Sequence, residues 1–307
     1  MPRAPDLSPL AADLRRMVRG EVRVGESLRR HTSLRIGGPA DLFFLPRDEA
    51  DAQTGLDFAR RRGWPCYVLG AGTNLLVRDE GVRGLVVKTA PGLSWVRFEG
   101  AAVRAGGGFP LARLVRLAAD RGLCGAEELA GIPGSVGGAV VMNAGAHGRA
   151  IADVLTGARV LFPDGRLEDV GPERLGLRYR GSALVDSGAL VVEARLELAP
   201  GGDPVELRRR IREGLEQRRR SQPPEPSAGC VFRNPSPERP AGWLIEQAGC
   251  KGLREGGALV SATHANFIVN VGAASARDVL TLIERVRRAV SIRFGVDLEL
   301  EIRVVGG

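Results

Sequence analysis

Apolar residues at Leu7, Leu10, Leu14, Met17 and Val18 recur in steps of three and four, which predicts an amphipathic helix at the head of the chain. The period then shortens. Compact β-rich runs over 40–45, 65–69, 84–89 and 102–105 read as strands, and 47–62, apolar at Ala50, Leu56 and Ala59, reads as a helix between the first two. A second amphipathic helix is expected over 111–121. Beyond it, 157–168 has the form of a hairpin around Pro163-Asp164-Gly165, and 190–198 alternates as a strand. Pro200-Gly201-Gly202-Asp203-Pro204 breaks the pattern, and a basic helix runs on to Arg220. After a proline-rich loop at 222–226 come a helix over 243–247, a strand over 265–271, a long helix over 276–294 and a closing strand over 297–305. The long helix carries Val279, Leu282, Ile283, Val286 and Val290 at helical spacing.

Length and composition narrow what such a chain can be. At 307 residues it holds two or three domains of about 100 to 200 residues each. No apolar run approaches the roughly 18 to 20 residues that cross a bilayer. Met1-Pro2-Arg3-Ala4-Pro5-Asp6 lacks the charged-then-apolar layout of a signal peptide, so a cytoplasmic protein is expected. Cys66, Cys124, Cys230 and Cys250 are scattered, which favours reduced thiols over disulfides or zinc, and the histidines are too dispersed for a metal site. The net charge of +8 fits nucleic acid, an anionic surface or a phosphate-bearing ligand. Arginine is spread along the chain, and the densest basic run, 208–220, is interleaved with Leu207, Ile211 and Leu215 as one solvated helix face. With few tyrosines to stack on bases, no nucleic acid is expected, nor membrane insertion, nor an obligatory protein partner.

Two glycine-rich stretches carry candidate chemistry. The first, Gly131-Ile132-Pro133-Gly134-Ser135-Val136-Gly137-Gly138 continuing to Asn143-Ala144-Gly145-Ala146, is bare enough for its main-chain N–H groups to meet a ligand. A tight turn between buried elements is an equal alternative. The second, Gly70-Ala71-Gly72-Thr73-Asn74, follows the apolar run Tyr67-Val68-Leu69, where a diphosphate would bind at a strand's carboxyl end. It is not G-x-G-x-x-G, because Leu75-Leu76-Val77 continues as another β-like run, so a Rossmann site is not expected.

With these segments in place the chain resembles the UDP-N-acetylenolpyruvoylglucosamine reductase family, in its shorter second-type branch. The likeness rests on His31-Thr32-Ser33-Leu34-Arg35-Ile36-Gly37-Gly38-Pro39-Ala40-Asp41, both glycine stretches, Tyr179-Arg180-Gly181-Ser182 and Ala228-Gly229-Cys230-Val231-Phe232-Arg233-Asn234-Pro235. Ala241-Gly242-Trp243-Leu244-Ile245-Glu246-Gln247 and Glu299-Leu300-Glu301-Ile302-Arg303 extend it to the end. The resemblance implies an α+β fold: an FAD-binding domain of the vanillyl-alcohol-oxidase (PCMH) type, made of two α+β subdomains, plus a smaller α+β substrate-binding domain. The implied layout is an N-terminal helical extension over 1–29, the FAD domain over 30–199 with subdomains near 30–89 and 90–199, the substrate domain over 200–297, and a C-terminal strand over 298–307.

The resemblance further implies non-covalent FAD, NADPH as reductant, and UDP-N-acetylglucosamine enolpyruvate as the small-molecule substrate, reduced to UDP-N-acetylmuramate. Hydride added β to the carboxylate leaves an enolate that must be stabilised and then protonated. By resemblance Arg180 and Glu301 polarise the carboxylate and Cys230 delivers the proton. Serine is usual at this last position. A thiol, with an ordinary pKa near 8.5, is the stronger acid and is more open to alkylation. The implied cofactor contacts are Arg35, then Gly70, Ala71, Gly72, Thr73, Asn74 and Leu75, then Gly131, Gly134, Ser135, Gly138, Asn143 and Gly145. Tyr179, Arg218, Asn234 and His264 are the implied substrate contacts. Without the likeness, a core ion-pair partner is the lesser alternative for Arg180, whereas a solvated strand residue is the favoured reading of Glu301 and a small buried thiol is the common fate of an isolated cysteine such as Cys230. A flavin oxidase of the same fold with another substrate is the competing enzyme class, and a basic nucleic-acid binder is the competing non-enzyme.

Overall fold

The computed structural model describes residues 6–307; positions 1–5, read above for a leader, lie outside it. Helices and strands mix as expected for an α+β chain. In order the helices are α1 (Ser8–Met17), α2 (Glu49–Arg61), α3 (Leu111–Ala119), α4 (Val136–Met142), α5 (Pro172–Leu175), α6 (Pro204–Ser221), α7 (Ala241–Gln247) and α8 (Ala276–Phe294). The chain divides into two compact units. One comprises the chain to Glu26, Ala40–Ala71 and Gly84–Glu216; the other comprises Ser27–Pro39, Gly72–Arg83 and Gln217–Gly307.

The first unit holds two larger sheets and the short hairpin of Gly145–Ala146 with Arg149–Ala150. One of the larger sheets runs Glu21–Ser27, Pro39–Leu45, Val82–Lys88, Cys66–Leu69 in spatial order, the last two parallel. Helix α2 links Pro39–Leu45 to Cys66–Leu69 and is opened by the Asp48 carboxylate on the Asp51 N–H at 3.0 Å, with acids in its first turn and Arg60 and Arg61 in its last. Gly55 lets α2 sit close to the sheet, since a Cβ there would lie 2.4 Å from the Phe44 ring. Phe44, Phe58 and Leu85 fill this layer together with Ala11 and Leu14 of α1. Buried Asp51 ties the chain just past α1 to the lead-in of α2 by accepting the N–H groups of Arg19 at 2.7 Å and Arg47 at 2.9 Å. The other sheet is antiparallel, in the order Leu167–Val170, Leu155–Leu161, Leu190–Glu197, Ala102–Gly106, Val96–Glu99. Helices α3 and α4 contribute Leu114, Val115, Val136 and Val140 to its core.

The second unit has its own core. An antiparallel sheet runs Ser227–Cys230, Phe267–Asn270, Ala258–Val260, Arg254–Glu255. Beside α7 and α8, the early residues Leu34, Ile36 and Leu76 join Phe232, Ile268 and Leu282 in one cluster. Leu75–Val77 pairs in parallel with Arg303–Val305 at the chain's end. Helix α8 begins on a reciprocal Ser275–Asp278 capping box, and Asp79 accepts from Ala276 N at 2.8 Å and Arg277 N at 3.1 Å. It ends on Gly295 at φ +65°.

Several elements depart from expectation. The closing strand is confined to Arg303–Val305, because 299–302 instead meets the Val231–Arg233 backbone, with Leu300 opposite Phe232. The mid-chain glycine stretch contains α4, which its glycines had hidden. Strands Glu21–Ser27 and Val96–Glu99 were missed because their charged, partly exposed residues interrupt the apolar alternation.

Candidate active site

In the first unit, Gly70 leaves the end of strand Cys66–Leu69 and meets the start of α4. A Cβ on Gly70 would lie 2.7 Å from Ser135 Oγ, so a side chain there would displace the very hydroxyl that accepts the Gly138 N–H at 3.3 Å. From the neighbouring strand, Lys88 Nζ donates to the Gly70 carbonyl at 2.5 Å. Burial pushes the Lys88 pKa down to about 8. Ala71 and Gly138 are exposed beside these anchored residues. A surface free of side chains, with a helix start and an ammonium close by, fits the diphosphate of a dinucleotide such as FAD. Gly134, at φ +146°, makes the turn before Ser135 and gives its carbonyl to Leu111 N, while Gly131 closes a single helical turn over Glu127–Gly131.

The same unit gathers Asn143, Gly145, Tyr179 and Arg180. Asn143 ends α4 in the left-handed region at φ +42°. Its Nδ2 donates to Arg178 O at 3.0 Å, and its Oδ1 accepts from Ala152 N at 3.1 Å. The amide expected to meet a flavin therefore shapes the turn Arg178–Gly181, closed by backbone bonds of 2.9 and 3.1 Å. Arg180 sits on that turn at φ +53°, donating from Nη1 to Gly145 O at 2.7 Å. Exposed Tyr179 lies under its guanidinium, 5.3 Å from ring centroid to Cζ. His147, at φ +50°, forms with Gly148 the tip of the Gly145–Arg149 hairpin.

The second unit gathers the remaining residues. The turn His31–Ile36, which includes exposed Arg35 at φ +57°, is bound to Gly72 through Ser33 N on Gly72 O at 3.0 Å. A Cβ on Gly72 would stand 2.1 Å from His31 O, so only glycine fits. Thr73 follows it, half-buried. Asn74 Nδ2 donates to Glu301 O at 3.1 Å, and Leu75 lies opposite Arg303. Glu301 N in turn donates to Val231 O at 2.8 Å, which brings the Glu301 backbone beside that of Cys230. Asn234 uses its Oδ1 on Ala241 N at 3.0 Å, at the start of α7, and Arg218 donates to Gln222 Oε1 at 3.2 Å at the end of α6. His264 is half-buried, edge-on to Phe267 at 4.9 Å between ring centroids, and burial lowers its pKa.

Two residues of these groups had no motif to announce them. Lys88 ends an apolar strand and gains meaning only from its contact with Gly70. Asn266 lies two residues after His264, and its amide is bonded to the Phe232 backbone on both sides, at 2.9 and 2.8 Å. Among the described residues no cluster of His, Cys, Asp or Glu suits a metal ion, and no helix is long and apolar enough to cross a membrane.

Two family models match separate stretches of the chain. Residues 40–171 match a family model described as an FAD binding domain, and residues 221–305 match one described as the C-terminal domain of UDP-N-acetylenolpyruvoylglucosamine reductase. The chain is 48% identical over 303 residues to a protein of Symbiobacterium thermophilum named UDP-N-acetylenolpyruvoylglucosamine reductase 2, covering 98% of each. It is 44% identical over 301 residues to a Halalkalibacterium halodurans protein with the corresponding name, covering 98% of this chain and 99% of that one. The crystal structure of UDP-N-acetylenolpyruvylglucosamine reductase from Thermus caldophilus superimposes with a TM-score of 0.78 at 40% identity, covering 94% of this chain and 99% of that one.

Proposed function

The chain belongs to the UDP-N-acetylenolpyruvoylglucosamine reductase family, and from that premise we propose how its residues divide the reaction. The protein is an FAD-dependent, NADPH-using oxidoreductase that reduces UDP-N-acetylglucosamine enolpyruvate to UDP-N-acetylmuramate for peptidoglycan synthesis. Bound FAD supplies the hydride, drawn from NADPH and delivered to the enolpyruvyl carbon β to the carboxylate. The chain's own residues hold the cofactor, steady the charge that follows, and supply a proton.

Gly70 and Ser135 hold the diphosphate through main-chain N–H groups, Gly138 lines it without a side chain while its own N–H goes to Ser135 Oγ, and Arg35 and the Gly72–Leu75 backbone are further cofactor contacts. Arg180, its guanidinium braced on Gly145 O, binds the substrate carboxylate and stabilises the enolate. Cys230 protonates the α carbon: its S–H bond breaks, a C–H bond forms, and the thiolate recovers a proton from solvent. Glu301 polarises the enolate system alongside it. Tyr179, Arg218, Asn234 and His264 contact the UDP-sugar. Residues 30–199 serve mainly the flavin and 200–297 the substrate, with 298–307 bringing Glu301. A cytoplasmic location suits the four thiols, none of them in a disulfide.

The observation that carries this reading is the Glu301 N–H on Val231 O at 2.8 Å, which sets the acidic residue and the thiol on adjoining backbone. The experiment follows the two half-reactions. Purified protein is expected to be yellow, to bleach with NADPH, and to recover colour quickly only on adding the enolpyruvyl UDP-sugar. In Cys230→Ala bleaching stays fast while recovery slows by orders of magnitude. Recovery at the original rate would refute the assignment of Cys230.

A further inference from the structure

Asn266 is 2% exposed and fully bonded. Its carbonyl accepts the Val231 N–H at 2.8 Å, its Oδ1 accepts the Phe232 N–H at 2.9 Å, and its Nδ2 donates to Phe232 O at 2.8 Å. Its own N–H donates to His264 Nδ1 at 3.2 Å. The strand Ser227–Cys230 ends just where these bonds begin, and its register against Phe267–Asn270 is shifted between Ser227 and Cys230. Past Cys230 the regular ladder is therefore replaced by one side-chain amide, which mimics a peptide group and serves both the donor and the acceptor of Phe232.

We propose that Asn266 is a positioning residue that sets two groups at once, the Cys230 thiol through the Val231–Phe232 backbone and the His264 imidazole through Nδ1. This rests on the reading of Cys230 as proton donor. An imidazole that accepts at Nδ1 carries its proton at Nε2, so His264 offers its outer nitrogen as a neutral hydrogen-bond donor. Burial, which lowers its pKa, favours that same neutral form. The room for the ring comes from Gly242, where a Cβ would lie 3.1 Å from His264 Cε1. Thiol and imidazole thus share one rigid anchor, and a shift of that anchor displaces both.

The test uses the FAD-loaded protein with Asn266→Ser, which removes the amide, and Asn266→Gln, which keeps it one methylene out of place. Reduction by NADPH is expected to keep its rate, while reoxidation by the enolpyruvyl UDP-sugar slows by roughly tenfold to a hundredfold, the usual cost of a misplaced reacting group. Combining either substitution with Cys230→Ala is expected to slow reoxidation no further than Cys230→Ala alone. Equal slowing of both half-reactions, unchanged reoxidation, or additive losses in the double variant would overturn the proposal. If Asn266→Ser does not fold, the Asn266→Gln arm decides. Unchanged reoxidation in Cys230→Ala alone would instead remove the reading beneath it, so the two failures are distinct.

Discussion

Lys88 and Cys230 are both ionisable groups beside candidate ligand surfaces. The Lys88 pKa is depressed from 10.5 to about 8 by desolvation. Below pH 8 the folded and unfolded chains both carry the proton, and the cost of burying the charge is fully present. Between pH 8 and 10.5 the folded chain loses its proton first, so stability climbs with pH. Flavin-free protein is therefore expected to gain up to about 3 kcal/mol across that window, read as a rising urea midpoint, and Lys88→Met to show no rise. The same variant should retain flavin less well, because Gly70 O loses its partner. At Cys230 the prediction is chemical. Cys230→Ser is expected to keep turnover but lose sensitivity to iodoacetamide, followed by residual activity, whereas Cys66, its pKa pushed up to about 12 by burial, should remain unlabelled in both proteins. His264 responds in the acid range: its lowered pKa means that the unfolded chain takes up a proton first as pH falls below 6.5. Stability is thus lost on acidification until the folded imidazole also titrates.

Helix α8 and helix α4 mark the extremes of what local sequence can specify. The α8 boundaries, Ala276–Phe294, coincide with the expected range because every local signal agrees: Ser275 and Asp278 form the box, five apolar residues repeat at helical spacing, and Gly295 ends it. Ser275→Ala is expected to cost about 1 kcal/mol in a chemical melt. The Asp278 carboxylate, held below its ordinary pKa first by the Ser275 N–H, makes that capping contribution fade as pH falls through the folded-state value. Helix α4 was illegible because two glycines in its first turn oppose helix formation, and tertiary packing of Val136 and Val140 overrides them. The same contrast holds for the site. The glycine loops announced themselves by composition and the Arg180, Cys230 and Glu301 motifs by resemblance. Lys88 and Asn266 acquire roles only from neighbours distant in sequence. A buried charge was equally invisible: Glu193 takes a two-pronged contact from Arg104 at 3.1 and 2.7 Å while Arg195 stands 3.5 Å away. Glu193→Leu takes the two-pronged partner from Arg104 while Arg195 keeps Asp169, and both arginines reach solvent, so a loss of about 1 kcal/mol is expected, measured by denaturant unfolding.

Over the whole molecule the chain passes between its two compact units at 26/27, 39/40, 71/72, 83/84 and 216/217. The second unit therefore draws core residues Leu34, Ile36 and Leu76 from segments far upstream of its main body. A fragment spanning 217–307 lacks these and the strand Leu75–Val77 that pairs with Arg303–Val305. It is expected to stay unfolded, with a collapsed amide spectrum, and adding back a peptide covering 27–83 should restore dispersion. Arg208 pairs with Asp120, Arg209 with Glu206 and Glu213, and Arg166 with Asp164 and Glu168, so much of the positive charge is answered locally. The pairing of Leu75 with Arg303 also has a consequence in time. On a ribosome that adds about 5 to 20 residues per second, the strand Leu75–Val77 emerges roughly 10 to 45 s before its partner exists. For that interval an apolar strand waits with an open edge, which makes the newborn chain a natural client for a holding chaperone until Arg303–Val305 is made.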